Sequence, residues 1–292
     1  MTELIDTQVV QCYPDGTPEG FPIELFAPIE GPSLVLRETM LRRKIDELQE
    51  TMKAMPQTEI PVKNTFSGGV YAREIMIPKG TVVIGKVHLT EHLNICLKGD
   101  LTFLTIDGPK RMKGPAMFSA PAGTKKLAYA NEDSIWVNVH PAISNDPEEI
   151  VEAITVDSFA DFDRLISKAD LEYKMAIHGY TPQTMQKLSE DESTLDKTLL
   201  SGVEVKDSCL HGKGLFATKN FSKGELICLA VKANKRTLAG RYSNHSPMPN
   251  CNVLFNNEEY VFVALQDIVE GDELTTDYGN TLATIANTKE VL

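Results

Sequence analysis

Three short pieces near the C-terminus constrain this chain more than anything else in it. The first is Gly212-Lys213-Gly214-Leu215-Phe216-Ala217. The second is Arg241-Tyr242-Ser243-Asn244-His245-Ser246, continuing through Pro247-Met248-Pro249-Asn250. The third is Gly271-Asp272-Glu273-Leu274-Thr275-Thr276-Asp277-Tyr278-Gly279. A Gly-x-Gly alone is an ordinary tight turn, and an Asn-His-Ser alone says less. In this order, with apolar β-like runs between them, they have a chemistry that none has separately.

The chain has 292 residues, enough for two domains or one with a large extension. Its 42% hydrophobic content suffices for buried cores. The formal net charge of −12 argues against nucleic-acid binding, because phosphate contacts need clustered Lys and Arg. It suits a cationic partner such as a lysine-bearing protein tail. The five cysteines are odd in number, scattered and never in a C-x-x-C arrangement, so they read as reduced thiols with no zinc cluster. An acidic N-terminus and the lack of a long apolar run predict a soluble, cytoplasmic protein with no membrane partner.

Along the chain, residues 1–60 read as an extended arm followed by a helix. Prolines and glycines punctuate the first 32 residues, leaving room for one short strand. The apolar Phe21, Ile23, Leu25 and Phe26 predict that the arm lies against the neighbouring domain or a second subunit. Ser33 is placed as the N-cap of a helix running to about Met55, stopped by Pro56. Leu34, Leu41, Leu48 and Met55 recur every seven residues, with Ile45 and Met52 between them. That stripe fits either a helix packed on its own domain or a short self-associating coiled coil.

From residue 61 to 144 the pattern becomes short β runs separated by turns, which predicts a small sandwich or barrel. Strands are placed at Tyr71–Ile77, Thr81–His88, Leu93–Leu97, Asp100–Ile106, Ala116–Ser119, Lys125–Ala130 and Ile135–Val139. Gly80, Gly99, Gly114, Pro121 and Gly123 sit where the cupin family has its motif residues, and the region resembles that family. The family's metal ligands would fall at Lys86, His88, His92 and Lys126. Two lysines and two imidazoles make a poor ligand set, so the resemblance implies a barrel with no metal. Residues 145–200 read as a helical connector, with a helix start at Asp146-Pro147-Glu148-Glu149, a helix from Phe159 to Ile177 and a further one from Pro182 to Leu200. Its buried face is placed on Phe162, Leu165, Ile166 and Leu171.

Residues 201–292 hold the three motifs and closely resemble the SET domain of protein lysine methyltransferases. The whole chain is thus expected to be α+β and mainly β: a cupin-like barrel, a helical connector and a compact, knot-like SET domain. The resemblance implies S-adenosylmethionine as cofactor, held by Gly212, Lys213, Gly214, Leu215, Asn244 and His245, the last mainly through its backbone. It makes Tyr278 the catalytic residue bordering the methyl-transfer channel. Glu273, Asp277 and Asn250 are then structural, Asn250 tying the crossing through its amide. The segment between Ile227 and Arg241, where the family carries a substrate-binding insert, is very short. Two functions lead, methyl transfer to a lysine of a protein substrate, or an assembly protein built from a metal-free barrel and a degenerate SET domain; a third reading is a cupin enzyme using His88 and His92. The first two readings include a homo-oligomer.

Overall fold

The computed structural model describes residues 8–11, 26–31, 33–142, 144–181, 183, 184, 187, 195, 196, 201–233, 235–256 and 259–289. Packing divides the chain into two compact units, Met1–Phe162 and Asp163–Leu292. Most of the N-terminal arm, including Phe21, Ile23 and Leu25, lies outside the described residues, as does most of the stretch from Pro182 to Leu200.

The first unit contains β1 (Gln8–Gln11), helix α1 (Leu34–Lys53), β2 (Val62–Ser67), β3 (Val70–Ile77), β4 (Thr81–Ile84), β5 (Val87–His88) and β6 (His92–Lys98). It continues with β7 (Asp100–Thr105), β8 (Gly108–Lys113), β9 (Ala116–Ala120), β10 (Leu127–Ala130), β11 (Ser134–Pro141), helix α2 (Pro147–Ile154) and β12 (Thr155–Val156). Ten strands form two antiparallel sheets, ordered β1-β4-β10-β7-β8 and β2-β3-β11-β6-β9. Between them pack Ile77, Val83, Cys96, Leu101, Ala128 and Trp136. This is the double-sheet arrangement that the cupin resemblance implies. At Gly99 the backbone turns with φ 102°, and a Cβ there would fall on the Ser134 side chain. Only glycine meets both conditions.

The short strands Thr155–Val156 and Leu195–Asp196 lie inside the stretch read from sequence as a helical connector, the second within the expected Pro182–Leu200 helix, because each pairs with a distant strand. Two longer strands also escaped the sequence pattern, β2 and β8. Both end their sheets and carry polar residues on each face, Lys63 and Asn64 in β2 and Lys110 and Arg111 in β8, which blurs the apolar alternation. Pro109 is tolerated because an edge strand has a side with no partner.

Ser33 caps α1, its hydroxyl accepting from the Leu36 N–H at 3.3 Å. Ile45, Leu48 and Met52 are buried within this unit, whereas Leu34 at the other end of the stripe is 56% exposed. The C-terminal half of the stripe therefore packs on its own unit. Lys125 pins it there: its buried ammonium donates to Asp46 at 2.8 Å, to Gln49, and to the Asp157 carbonyl at 2.8 Å.

Helix α3 (Phe159–Ile177) crosses the division between units. Phe159 and Phe162 are buried in the first unit, and Ser167 and Met175 in the second. Leu165, placed in the buried face from sequence, is 44% exposed. Positions 159, 162, 166, 170 and 174 are buried or half-buried and share one face, and Leu165 falls on the opposite arc with the exposed Arg164, Lys168 and Glu172.

The second unit continues with β13 (Leu195–Asp196), β14 (Val203–Asp207), β15 (Lys213–Ala217), β16 (Leu226–Lys232) and β17 (Lys235–Thr237). The short helix Leu238–Tyr242 leads to β18 (Asn244–His245), β19 (Cys251–Asn256), β20 (Glu259–Ala264), β21 (Thr275–Thr276) and a final helix, Tyr278–Lys289. Its main sheet runs β13-β17-β16-β20-β19, beside the β14-β15 and β18-β21 pairs. Leu215, Phe221, Val253, Phe262, Ile268 and Leu274 form its core.

Candidate functional site

The three motifs meet in one place because the last is threaded between the other two. On one side the Leu274 N–H donates to the Leu215 carbonyl at 2.7 Å, and the Ala217 N–H to that of Asp272 at 2.9 Å. On the other, β21 pairs in parallel with β18, setting Thr275 against Asn244 and Thr276 against His245. Asn250 ties the crossing as expected: its Nδ2 donates to the Glu273 carbonyl at 2.8 Å, and its Oδ1 accepts from the Thr275 N–H at 2.8 Å.

Asn244 is the hub. Its Nδ2 lies 2.7 Å from Glu273 Oε1, 3.1 Å from Ser208 Oγ, and 3.2 Å from both the His211 and Lys213 carbonyls. Four oxygens around one nitrogen set the amide's orientation. Burial raises the Glu273 pKa, opposed by its hydrogen bonds from Asn244 and Ser208. Gly214 serves this carboxylate: a Cβ there would fall on Glu273 and lie 3.0 Å from Ser208 Cβ. Of the first motif, Gly214 and Leu215 are buried, while Gly212 and Lys213 stay exposed at the β14–β15 turn.

His245 is buried, and both its ring nitrogens are engaged. Nδ1 accepts from the Tyr278 N–H at 3.2 Å, so the proton sits on Nε2, 2.9 Å from Asp170 Oδ2. Burial lowers its pKa and Asp170 resists that. Lys174 bridges Asp170 and Asp277, at 2.6 Å to each. Burial pulls the Lys174 pKa down, but the two carboxylates outweigh it and hold it above its ordinary value. The Tyr278 hydroxyl donates to the Ser243 carbonyl at 2.8 Å, and burial pushes its pKa to about 12. Asp170 and Lys174 were missed from sequence. They stand at i, i+4 on α3, a pairing visible in the chain, but their partners lie 75 and 103 residues away.

Residues 228–279 match the family model of the SET domain. The second unit carries a SET domain. Two curated relatives are the histone-lysine N-methyltransferases trithorax of Drosophila virilis and Drosophila melanogaster. They are 29% and 28% identical in alignments that cover 29% of this chain. The chain spans 3% of the length of these relatives. Solved cupin-type structures are similar to the N-terminal region at low identity. An acetylacetone dioxygenase from Acinetobacter johnsonii is 13% identical, over 30% of this chain and 66% of its own, with a TM-score of 0.26. A cupin-2 domain protein from Shewanella frigidimarina is 14% identical, over 32% of this chain and 91% of its own, with a TM-score of 0.24.

The SET unit is not the sole cluster of chemical groups. Inside the cupin-like barrel His88, His92 and His140 stack with ring centroids 3.9, 4.7 and 5.0 Å apart. Burial depresses all three imidazoles, His88 to about 2 and the others to about 4. Sequence reasoning counted two imidazoles here, and the structure adds the third. His140 follows Trp136 and Asn138 on one face of β11, and the sequence-placed strand stopped one residue short of it, at Val139. Two small cavities of about 60 and 70 Å³ meet along Gly85, Lys86, His88 and Asn138. Lys126 lines the second beside Trp136 and Phe103, and burial takes its amine down to about 7.

Proposed function

We propose that the SET unit transfers a methyl group from S-adenosylmethionine to a lysine side chain of a protein. The observation that carries this reading is the Tyr278 hydroxyl, which donates to the Ser243 carbonyl directly beside the Asn244-His245 pair. S-adenosylmethionine, when bound, supplies a methyl group on a positively charged sulfur. Gly212, Lys213, Gly214, Leu215, Asn244 and His245 would hold it, and their geometry divides the work. Gly212 and Lys213 are exposed residues at the turn beside Asn244. Asn244 Oδ1 makes no hydrogen bond among the described residues, so it is open to a cationic amino group. Gly214 and Leu215 shape the wall from inside. His245, with both ring nitrogens engaged, contributes its backbone.

Tyr278 acts as a phenol. Its proton is committed to Ser243, so its oxygen lone pairs can accept an N–H from the incoming amine and aim the nitrogen's own lone pair. A hydroxyl pushed to about 12 does not serve as the base at neutral pH. The substrate amine therefore arrives having lost its proton to solvent, and transfer should accelerate as pH rises.

Calorimetric titration with S-adenosylmethionine, followed by radiolabelled methyl transfer to a cell lysate and to the protein itself, tests this reading. Micromolar binding with transfer that Tyr278→Phe abolishes supports it; absence of binding removes it. The scaffold reading keeps one observation of its own. Met76, Leu93, Leu97 and Met117 are exposed apolar residues on β3, β6 and β9 of one barrel sheet. They favour self-association, checked by light scattering against the 32.3 kDa chain mass.

A further inference from the structure

We propose that His88, His92 and His140 bind one divalent first-row transition-metal ion inside the barrel. His140 then supplies the ligand that Lys86 and Lys126 do not. The cupin resemblance alone points away from this, since only two of its four ligand positions hold imidazoles. The third imidazole comes from a different strand, β11, and reaches the same point.

Three features carry the inference. The first is convergence. One ligand nitrogen from each ring lies within 4.8 Å of the other two. Three atoms so spaced share a point no more than about 2.8 Å from each, against roughly 2.0–2.1 Å for a zinc–imidazole bond. A shift of under about 1 Å per ring closes the difference.

The second is the set of polar atoms left without partners. Among the described residues His88 Nδ1 and His140 Nδ1 are buried and make no hydrogen bond, and the Asn94 carboxamide, beside His92, has no partner within hydrogen-bond geometry. Asn94 lies two residues along β6 from His92, on the same face. A histidine kept for packing normally has its nitrogens satisfied. Here the orphaned atoms are grouped, as they are where a ligand completes a site.

The third is the support behind His92. Its Nδ1 lies 3.1 Å from the Thr90 carbonyl and donates to it, which leaves the Nε2 lone pair available. Metal-binding histidines are commonly oriented by such a bond to a backbone carbonyl. Lys126 Nζ stands 3.3 Å from that Nε2 and is the group an entering ion displaces. Neutral imidazoles with no carboxylate suit zinc, nickel, copper or iron and not magnesium or calcium.

The test uses the full chain, stripped with a chelator and titrated separately with Zn²⁺ and Co²⁺. One equivalent per chain is expected, with visible Co²⁺ bands of four- or five-coordinate nitrogen ligation. His88→Gln and His140→Gln should each weaken binding at least a hundredfold, while His178→Gln, exposed just beyond α3, leaves it unchanged. Thermal melts establish that each variant is folded. Should His140→Gln fail to fold, the wild-type Co²⁺ spectrum decides: bands of six-coordinate aqueous cobalt overturn the proposal. So do wild-type protein that takes up less than a tenth of an equivalent, undiminished binding by folded His140→Gln, and binding lost with His178.

Discussion

The two units treat buried polar groups in opposite ways. In the SET unit the groups at the crossing are tied to one another: the Asn244 amide reaches four oxygens, Asn250 uses both ends, and His245 uses both nitrogens. In the barrel, His88, His140 and Asn94 leave four buried polar atoms with no partner among the described residues. Because an unpaired buried group costs more than a paired one gains, the first arrangement is a finished frame and the second an unfinished site. The threaded strand explains the frame: three chain segments meet there, and side-chain amides bridge backbone that cannot pair in one regular sheet.

Acid should separate the units most. The three barrel imidazoles are depressed below 6.5, so between about pH 6.5 and 4 the unfolded chain binds more protons than the folded one. Stability then falls as pH falls, by up to roughly 1.4 kcal/mol per pH unit for each group. Lys126, lowered from 10.5 to about 7, acts in the same direction at higher pH and has finished by neutrality. Melts of metal-free protein between pH 7 and 4 should show the barrel transition falling well before that of the SET unit. Equal slopes would remove the contrast.

Asn244→Ala comes next. It strips hydrogen bonds from a half-buried Glu273 and two carbonyls, so the SET transition should drop by about 2–3 kcal/mol while the barrel transition stays. Tyr278→Phe should spare the fold apart from about 1 kcal/mol for the Ser243 bond. Methyl transfer would fall tenfold or more, roughly 1.4 kcal/mol in the barrier. Smallest is Asp170→Asn. The amide still accepts from His245 but loses its charge toward Lys174, for about 1 kcal/mol in the same denaturation assay. A larger loss would make α3 a stronger prop of the SET unit than its partly exposed ion pair implies.

Much of the local structure was readable from the chain. Ser33 followed by the Ile45, Leu48 and Met52 stripe marks α1, and the limits of α3 at Phe159 and Ile177 follow from its periodicity. The strands with buried faces showed their alternation, but the edge strands β2 and β8, half in water, did not need to. Asn250 could be placed at the crossing because short amides bridge backbone wherever a strand threads a loop. Leu165 was misplaced because an apolar side chain need not lie on the buried arc: it stands on the exposed side of α3 with Arg164, Lys168 and Glu172.

By itself the sequence determined the helices α1 and α3, the strands with buried faces, the three-motif cluster and the residues that must cap, turn or stay small, because those are set by neighbours within a few positions. It did not decide which distant side chains share a point. His140 joins His88 and His92 only when β11 lies beside β6. Asp170 finds His245 only when α3 is laid along the crossing, and adjacent Lys125 and Lys126 part ways, one to α1 and the other into the cavity. Those partnerships depend on sheet register and helix docking, whose energies are summed over whole packed surfaces and written in no single stretch of the chain.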